Sequence, residues 1–184
     1  MWCTDITYVR LVSGFVYLTA IMDWRSRYVL SWEISISMET RFCLTALERA
    51  LSIATPTIFN SDQGSQFTSA EFTERLLNAG VLISRDGRGQ VFDNIFIERL
   101  WRSVKYEEVY LKDYATVREA KASLGNYFRF YNTERLHEAL GYRTPSRSTL
   151  RRSGLPPPCL SPSMSTLSTL NPCFCLDSGE HHSG

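Results

Sequence analysis

Extended, strand-favouring segments open the chain and predict three consecutive β-strands. Residues of high strand propensity run from Trp2 to Val9, an apolar run extends from Phe15 to Met22, and a third such segment spans Tyr28 to Ile34. Only short polar turns separate these segments, and strands joined in this way pair antiparallel. We therefore expect the chain to begin with an antiparallel meander.

Beyond the third strand, the pattern changes to helices that alternate with short strands. Apolar residues recur at helical spacing between Glu39 and Ala54, and S/T-x-x-E sequences at 68–71 and 116–119 are typical of helix N-termini. The predicted helices cover 39–54, the stretch from the box at 68–71 to Ala79, 93–109, and the stretch from the box at 116–119 to Tyr131. The predicted strands cover 57–59 and 81–83. The order βββαβαβαα predicts an α/β fold with helices flanking a five-stranded mixed sheet.

Composition divides the chain near Pro145. Every tyrosine and tryptophan precedes that residue, whereas residues 146–184 hold nine serines, five prolines and one aromatic residue. Such a segment buries too little apolar surface to offset the entropy lost on ordering. We expect one catalytic domain at 1–145 and a low-complexity, disordered tail at 146–184.

The overall composition excludes few kinds of protein. The net charge is +1 and 43% of residues are hydrophobic, values of an ordinary globular protein that neither favour nor exclude nucleic acid. The longest apolar run, Phe15 to Met22, is too short to span a bilayer. An odd number of cysteines, five, and no evident leader segment favour a reducing cytoplasm.

Three acidic residues stand at positions that sheet proteins use for ligands. Asp5 lies inside the first strand, Asp62 directly follows the fourth, and Glu98 borders a predicted buried helical stripe. Taken singly, each has a structural interpretation. Asp5 could face water on an edge strand, Asp62 could shape a polar turn, and Glu98 could pair with Arg102 on the surface.

The spacing and the surrounding residues resemble one family. Residues 63–97, 35 in number, separate Asp62 from Glu98. Together with four ordered motifs, this spacing resembles bacterial insertion-sequence transposases of the superfamily that includes retroviral integrases. The motifs are Trp2-Cys3-Thr4-Asp5-Ile6-Thr7-Tyr8, the segment Ser61 to Phe67, the segment Asp93 to Trp101, and the segment Tyr131 to Tyr142.

The resemblance implies a ribonuclease-H-like fold and a metal-dependent active site. It implies that Asp5, Asp62 and Glu98 are catalytic and hold Mg²⁺ or Mn²⁺, with two ions in the site. Oxygen ligands suit these hard cations, and a pair of them suits in-line displacement at phosphorus. The implied function is that of a transposase catalytic core, which cleaves DNA and transfers the cut strand.

The resemblance also implies partners. The predicted DNA-contacting residues are Lys105, Arg102, Arg88, Arg85, Gln63 and Asn94. The DNA partners are the element ends and the target, and a homo-oligomer or a partner transposase subunit would supply end recognition. The implied location is the bacterial cytoplasm, at the nucleoid when DNA is bound.

Two departures from the family pattern keep alternatives open. Relatives of this kind usually carry a helical DNA-binding region ahead of the first Asp, whereas only four residues precede Asp5 here. They also usually have proline at the position of Leu136. A truncated, non-catalytic fragment that binds DNA or a full-length transposase, and regulates it, is the main alternative. A ribonuclease-H-like nuclease for RNA–DNA hybrids is a weaker one.

Overall fold

The computed structural model describes residues 1–85 and 95–153, with side chains described as far as residue 149. Two of the residues predicted to contact DNA, Arg88 and Asn94, lie outside the described residues. So does the part of the predicted tail from residue 154 onward.

A five-stranded mixed sheet organises the fold, as the sequence predicts. Its strands are β1 (Trp2–Leu11), β2 (Gly14–Asp23), β3 (Val29–Ser35), β4 (Ile58–Ser61) and β5 (Leu82–Arg85). The spatial order is β3-β2-β1-β4-β5. The first three strands pair antiparallel, which confirms the predicted meander, and β4 pairs parallel with both β1 and β5. Strand β1 is therefore the central strand.

Helices cover both faces of the sheet. They are α1 (Thr40–Ile53), α2 (Ser65–Thr68), α3 (Ala70–Asn78), α4 (Ile95–Glu107), α5 (Val117–Thr133) and α6 (Pro145–Ser153), with short 3₁₀ helices at Val109–Leu111 and Glu138–Leu140. The predicted sequence order is correct for the larger elements, and the chain adds α2, α6 and the two 3₁₀ turns. Among the helices described, none is long and apolar enough to cross a membrane.

Alternation along β1 divides the apolar core into two layers. Cys3 faces α4 and α5 and joins a cluster that includes Leu100, Trp101 and Tyr127. Trp2 faces the opposite side and packs in a second cluster with residues of α1 and α3. Because successive strand side chains point to opposite faces, Asp5 shares the face of Cys3. The sheet thereby directs Asp5 toward α4.

Of the two predicted N-caps, the structure confirms Thr116 and replaces Thr68 by Ser69. The hydroxyl of Thr116 accepts a hydrogen bond from the Glu119 backbone N–H, as predicted for the start of α5. At α3, however, Ser69 is the N-cap and accepts from the Phe72 backbone N–H, so the assignment of Thr68 was wrong. Thr68 instead ends α2, which the chain inserts between Asp62 and α3. Both residues are good caps, and tertiary structure selects between them.

The predicted tail begins inside a helix. Residues 146–153 belong to α6, which packs against α5, so the expected disorder from residue 146 is wrong for this stretch. The buried Thr144 accepts a hydrogen bond from the Arg147 backbone N–H, and Pro145 follows it. A threonine cap followed by proline is a favourable helix start. This local signal outweighs the low aromatic content of the residues that follow Pro145.

Candidate active site

Asp5 lies on the central strand and contacts α4 directly. The indole Nε1–H of Trp101 donates a 2.9 Å hydrogen bond to Asp5 Oδ2, across 96 residues of sequence. Asp5 is half-buried and β1 is flanked on both sides, so the edge-strand interpretation is wrong. Burial raises the pKa of the Asp5 carboxyl to about 6, although hydrogen bonds from the Ile6 backbone and from Trp101 oppose the rise. The nearby carboxylates of Asp62 and Glu98 raise it further.

Asp62 directly follows β4, the parallel neighbour of β1. Cys3 and Asn60 are paired across the two strands, and Asp5 and Asp62 each lie two residues beyond that pair. Parallel strands at this register bring Asp62, at the carboxyl end of β4, beside Asp5 of the central strand. Asp62 Oδ1 accepts a 2.9 Å hydrogen bond from the Gly64 backbone N–H. The polar-turn interpretation is thus correct locally and is compatible with a ligand role.

Gly64 is needed beside Asp62 for a steric reason. A Cβ atom at position 64 would lie 2.9 Å from Asp62 Oδ1, inside normal contact distance. The Gly64 backbone has φ −57° and ψ 144°, a conformation open to any residue. Close approach of the carboxylate, and not backbone freedom, is therefore what favours glycine here.

Glu98 lies in the first turn of α4 and is exposed. The predicted buried stripe of this helix is confirmed, since Ile97, Leu100, Trp101 and Val104 are all buried. Glu98 precedes Trp101 by three residues, so both side chains lie on neighbouring positions of one helix side. Within residues 1–85 and 95–149, Glu98 makes no ion pair with Arg102. The charge of Glu98 is among the causes that raise the pKa of Asp5.

The donor set fits a hard divalent cation in chemistry. The three candidate side chains offer only carboxylate oxygens, the ligands that Mg²⁺ prefers. Burial and two like charges disfavour ionised Asp5, and a bound cation would relieve both effects. In their present positions, no three His, Cys, Asp or Glu side chains of the described residues are grouped closely enough to hold a metal ion. A change in side-chain positions is therefore part of what metal binding would require.

Four of the predicted DNA-contacting residues lie among the described residues. Lys105, half-buried, and Arg102, exposed, lie beyond Glu98 on α4. Gln63 follows Asp62 and is exposed. Arg85 ends β5, pairs in register with Ser61 and donates a 3.0 Å hydrogen bond to the Thr73 hydroxyl. Arg85 is thus held against α3 in this structure.

The segment Tyr131–Tyr142 forms side-chain hydrogen bonds with α4 and β3. Arg135 hydrogen-bonds Glu107 near the end of α4, at 2.6 Å from Nη2 to Oε1, and the Tyr127 hydroxyl donates to the same carboxylate at 2.9 Å. Asn132 bonds both the backbone N–H and the carbonyl of Val29 at 2.9 Å. The motif therefore fixes α4 and β3 in place, a structural role that the sequence did not reveal.

Comparison with known proteins agrees with this architecture. The profile of the integrase core domain matches residues 1–90, and a second profile of the same description matches residues 79–145. A transposase for insertion sequence element IS629 from Shigella sonnei is 37% identical over 150 residues, which cover 80% of this chain and 51% of that protein. A transposase for insertion sequence element IS904 from Lactococcus lactis is 30% identical, with coverages of 79% and 59%.

Solved structures share the fold. The catalytic core domain of HTLV-2 integrase, in complex with magnesium, matches with a TM-score of 0.62 at 20% identity. The match covers 78% of this chain and 91% of the HTLV-2 chain. The catalytic core domain of BIV integrase has a TM-score of 0.66 at 18% identity, with coverages of 83% and 95%. The predicted ribonuclease-H-like, integrase-type fold is confirmed.

The fold and the profile matches define the class of protein as an integrase-type catalytic core. The chain belongs to the integrase core domain family, and its relatives include insertion-sequence transposases. It spans about half the length of the curated relatives that it matches, between 51% and 59% of the two described above.

Proposed function

We propose that this chain is the catalytic core of a DNA transposase, a polynucleotidyl transferase that performs metal-dependent strand cleavage and strand transfer. The observation that carries the proposal is the register of β1 and β4, which places Asp5 and Asp62 each two residues beyond the Cys3–Asn60 pair, with Asp5 hydrogen-bonded to the helix that bears Glu98. Membership of the integrase core family supports the same reaction. The two transposase relatives support DNA of an insertion element as the substrate.

The carboxylates of Asp5, Asp62 and Glu98 would hold two Mg²⁺ or Mn²⁺ ions. When bound, such ions supply electrostatic activation of an attacking oxygen and stabilisation of a leaving oxygen. Trp101 holds the Asp5 carboxylate in one orientation through its indole N–H. The hydrogen bond from the Gly64 backbone N–H orients the carboxylate of Asp62, directly after β4, in the same way. These two bonds would limit how far the carboxylates must move to bind metal.

The reaction follows from displacement at phosphorus. In the first step, water attacks a phosphodiester at the element end, the bond from phosphorus to the 3′-oxygen breaks, and a 3′-hydroxyl is freed. In the second, that hydroxyl attacks a phosphodiester of the target, so a new phosphorus–oxygen bond replaces the one broken. Lys105 and Arg102 would hold backbone phosphates beside the acids, and Arg85 and Gln63 would contact the DNA from the sheet edge.

We further propose that the chain acts within an assembly, either a homo-oligomer or a complex with a transposase subunit, and that this assembly recognises the element ends. The related HTLV-2 integrase core is described in dimeric and trimeric forms, which supports assembly as part of the function.

Nicking of an end-labelled DNA duplex tests the proposal. We expect cleavage with Mg²⁺ or Mn²⁺, none with chelator, and loss of cleavage in Glu98→Gln. Glu48→Gln is the matched control, because it alters an exposed ion pair between Glu48 of α1 and Arg75 of α3. This variant should cleave normally. A folded chain that cleaves with neither metal would favour the regulatory-fragment alternative. Cleavage of RNA–DNA hybrids in preference to duplex DNA would favour the nuclease alternative.

A further inference from the structure

An exposed aromatic pair lies where α4 ends. Tyr106 and Tyr110 are 65% and 63% exposed, and their ring centroids lie 5.3 Å apart at an interplanar angle of 82°. In this edge-to-face arrangement, each ring leaves at least one face uncovered by the other. Leu111, 72% exposed, adjoins them. Neighbouring exposed apolar groups of this kind are a common mark of a binding surface.

Positive charge lies on the same side of α4. Arg99, Arg102 and Tyr106 are exposed and follow one another at intervals of three and four residues, so they form one stripe along the helix. Lys105 flanks the stripe on the side of Glu98 and Trp101. Within residues 1–85 and 95–149, none of these three basic side chains forms an ion pair. Their charge is therefore available to a ligand.

The acids nearest the aromatic pair are already engaged. Glu107 is held by Arg135 and by the Tyr127 hydroxyl. Glu108 is buried and accepts hydrogen bonds from Lys112 and Tyr114. The exposed side of the stripe thus presents positive charge and aromatic rings together. That combination suits a nucleic-acid strand, whose phosphates meet the charges and whose unstacked bases meet the rings.

We infer that Tyr106 and Tyr110 form a stacking platform for unpaired bases of a single DNA strand, whose phosphates Arg99 and Arg102 hold. The stripe begins beside Glu98 and ends at the tyrosines, so it would carry a frayed strand away from the acidic residues. This inference rests on the proposed function, since it takes DNA as the substrate.

Binding of defined oligonucleotides without metal tests the inference. The probes are a fluorescent single strand of about 15 nucleotides and an abasic strand of equal length, which keeps the phosphates and lacks the bases. We expect the chain to prefer the base-containing strand by roughly 5- to 150-fold, the range that stacking of one base provides. The double variant Tyr106→Ala/Tyr110→Ala should lose that preference, and Tyr106→Phe/Tyr110→Phe should keep it.

The salt dependence separates rings from charges. Arg102→Ala should reduce the slope of log affinity against log salt by about 0.7, the contribution of one phosphate contact on a single strand, while the tyrosine variants leave the slope unchanged. Tyr8→Ala removes a ring that is 54% exposed on β1 and serves as the control, with no expected effect. Both tyrosines of the pair are exposed, so the variants should melt like the parent chain, which circular dichroism can verify.

Several results would overturn the inference. These are absence of binding to the single strand, equal affinity for the two strands, equal weakening by Tyr8→Ala, or a tyrosine-dependent change in oligomeric state without a change in DNA affinity. The outcomes stay separate from those of the nicking assay. Tyrosine-dependent binding without nicking contradicts only the proposed function, and nicking without base-dependent binding contradicts only this inference.

Discussion

The indole N–H of Trp101 donates a 2.9 Å hydrogen bond to the carboxylate of Asp5, which joins helix α4 to the central strand of the sheet. Trp101 is 6% exposed and belongs to the same apolar cluster as Cys3, so the bond forms at the rim of the core. Glu98 lies one turn earlier on the same helix. The contact therefore links the position of the third acid to that of the first.

Substitution of Trp101 should separate its structural and positioning effects. Trp101→Ala removes a buried aromatic side chain and should lower the free energy of unfolding by about 3–5 kcal/mol. Trp101→Phe keeps most of the packing but loses the hydrogen bond, so we expect a loss of about 1–2 kcal/mol together with a marked fall in nicking rate. Urea denaturation and the nicking assay measure the two effects. A Phe variant with full activity would show that the bond does not position Asp5.

The sequence predicted the parts of this site that depend on local pattern. The order of the strands along the chain and the buried face of α4 follow from periodicity, which is a local property, whereas Asp5, Asp62 and Glu98 were selected by the resemblance of their motifs to one family. The bond between Trp101 and Asp5 could not be predicted, because it joins residues 96 apart and depends on how α4 packs on β1. The sequence indicated only that Trp101 is buried.

Other features were missed for different physical reasons. The cap of α3 could not be assigned because Thr68 and Ser69 are adjacent and equally capable of capping. Helix α6 was missed because the low aromatic content after Pro145 outweighed the cap signal of Thr144. The bracing of α4 by Arg135 and Glu107 spans 28 residues and becomes visible only when α5 has packed. Each error concerns a choice that tertiary contacts decide.

Gly64→Ala should impair activity more than stability. The new Cβ would lie 2.9 Å from Asp62 Oδ1, and the short Asp62 side chain can relieve the contact only by turning away. Because the Gly64 backbone conformation is open to alanine, we expect a stability change below about 1 kcal/mol, with nicking strongly reduced.

A second glycine provides the control for that substitution. Gly125 lies within α5, and a Cβ there would meet the nearest Trp32 atom at an ordinary 3.5 Å. Gly125→Ala should raise the free energy of unfolding by roughly 0.5–1 kcal/mol, because alanine favours helix, and should leave nicking unchanged. Equal nicking by the Gly64 and Gly125 variants would contradict the proposed importance of the Asp62 orientation.

Two truncations test the contribution of α6. A chain ending at residue 144 lacks this helix, whereas one ending at residue 153 retains it. Because α6 packs against α5, we expect the shorter chain to melt several degrees below the longer one, as a loss of about 1 kcal/mol would produce in a domain of this size. Differential scanning calorimetry measures both. Identical melting temperatures would show that α6 adds no stability.

The ion pairs of Glu33 should make the free energy of unfolding depend on pH. Its mostly buried carboxylate, 8% exposed, contacts Arg49 of α1 at 2.7 Å and Lys121 of α5 at 2.5 Å, so it ties both helices to β3. Burial alone would raise the pKa of Glu33, yet the hydrogen bond and charge of Lys121, with the charge of Arg49, hold that pKa below its usual range. The stabilisation is therefore fully present above the ordinary value of 4.5 and is lost as the pH falls through the lowered pKa.

Glu33→Gln isolates this effect, since it removes the charge and keeps the shape. The two cationic partners are about half exposed, so solvent screening limits the expected loss at pH 7 to about 1 kcal/mol. Urea denaturation of both chains at pH 7 and pH 3 should show a difference that shrinks at the lower pH, because below the ordinary pKa of 4.5 the unfolded chain takes up the proton and the contribution of the charge declines. A difference of constant size at both values would mean that Glu33 acts through packing, and that its charge contributes nothing to the attachment of α1 and α5.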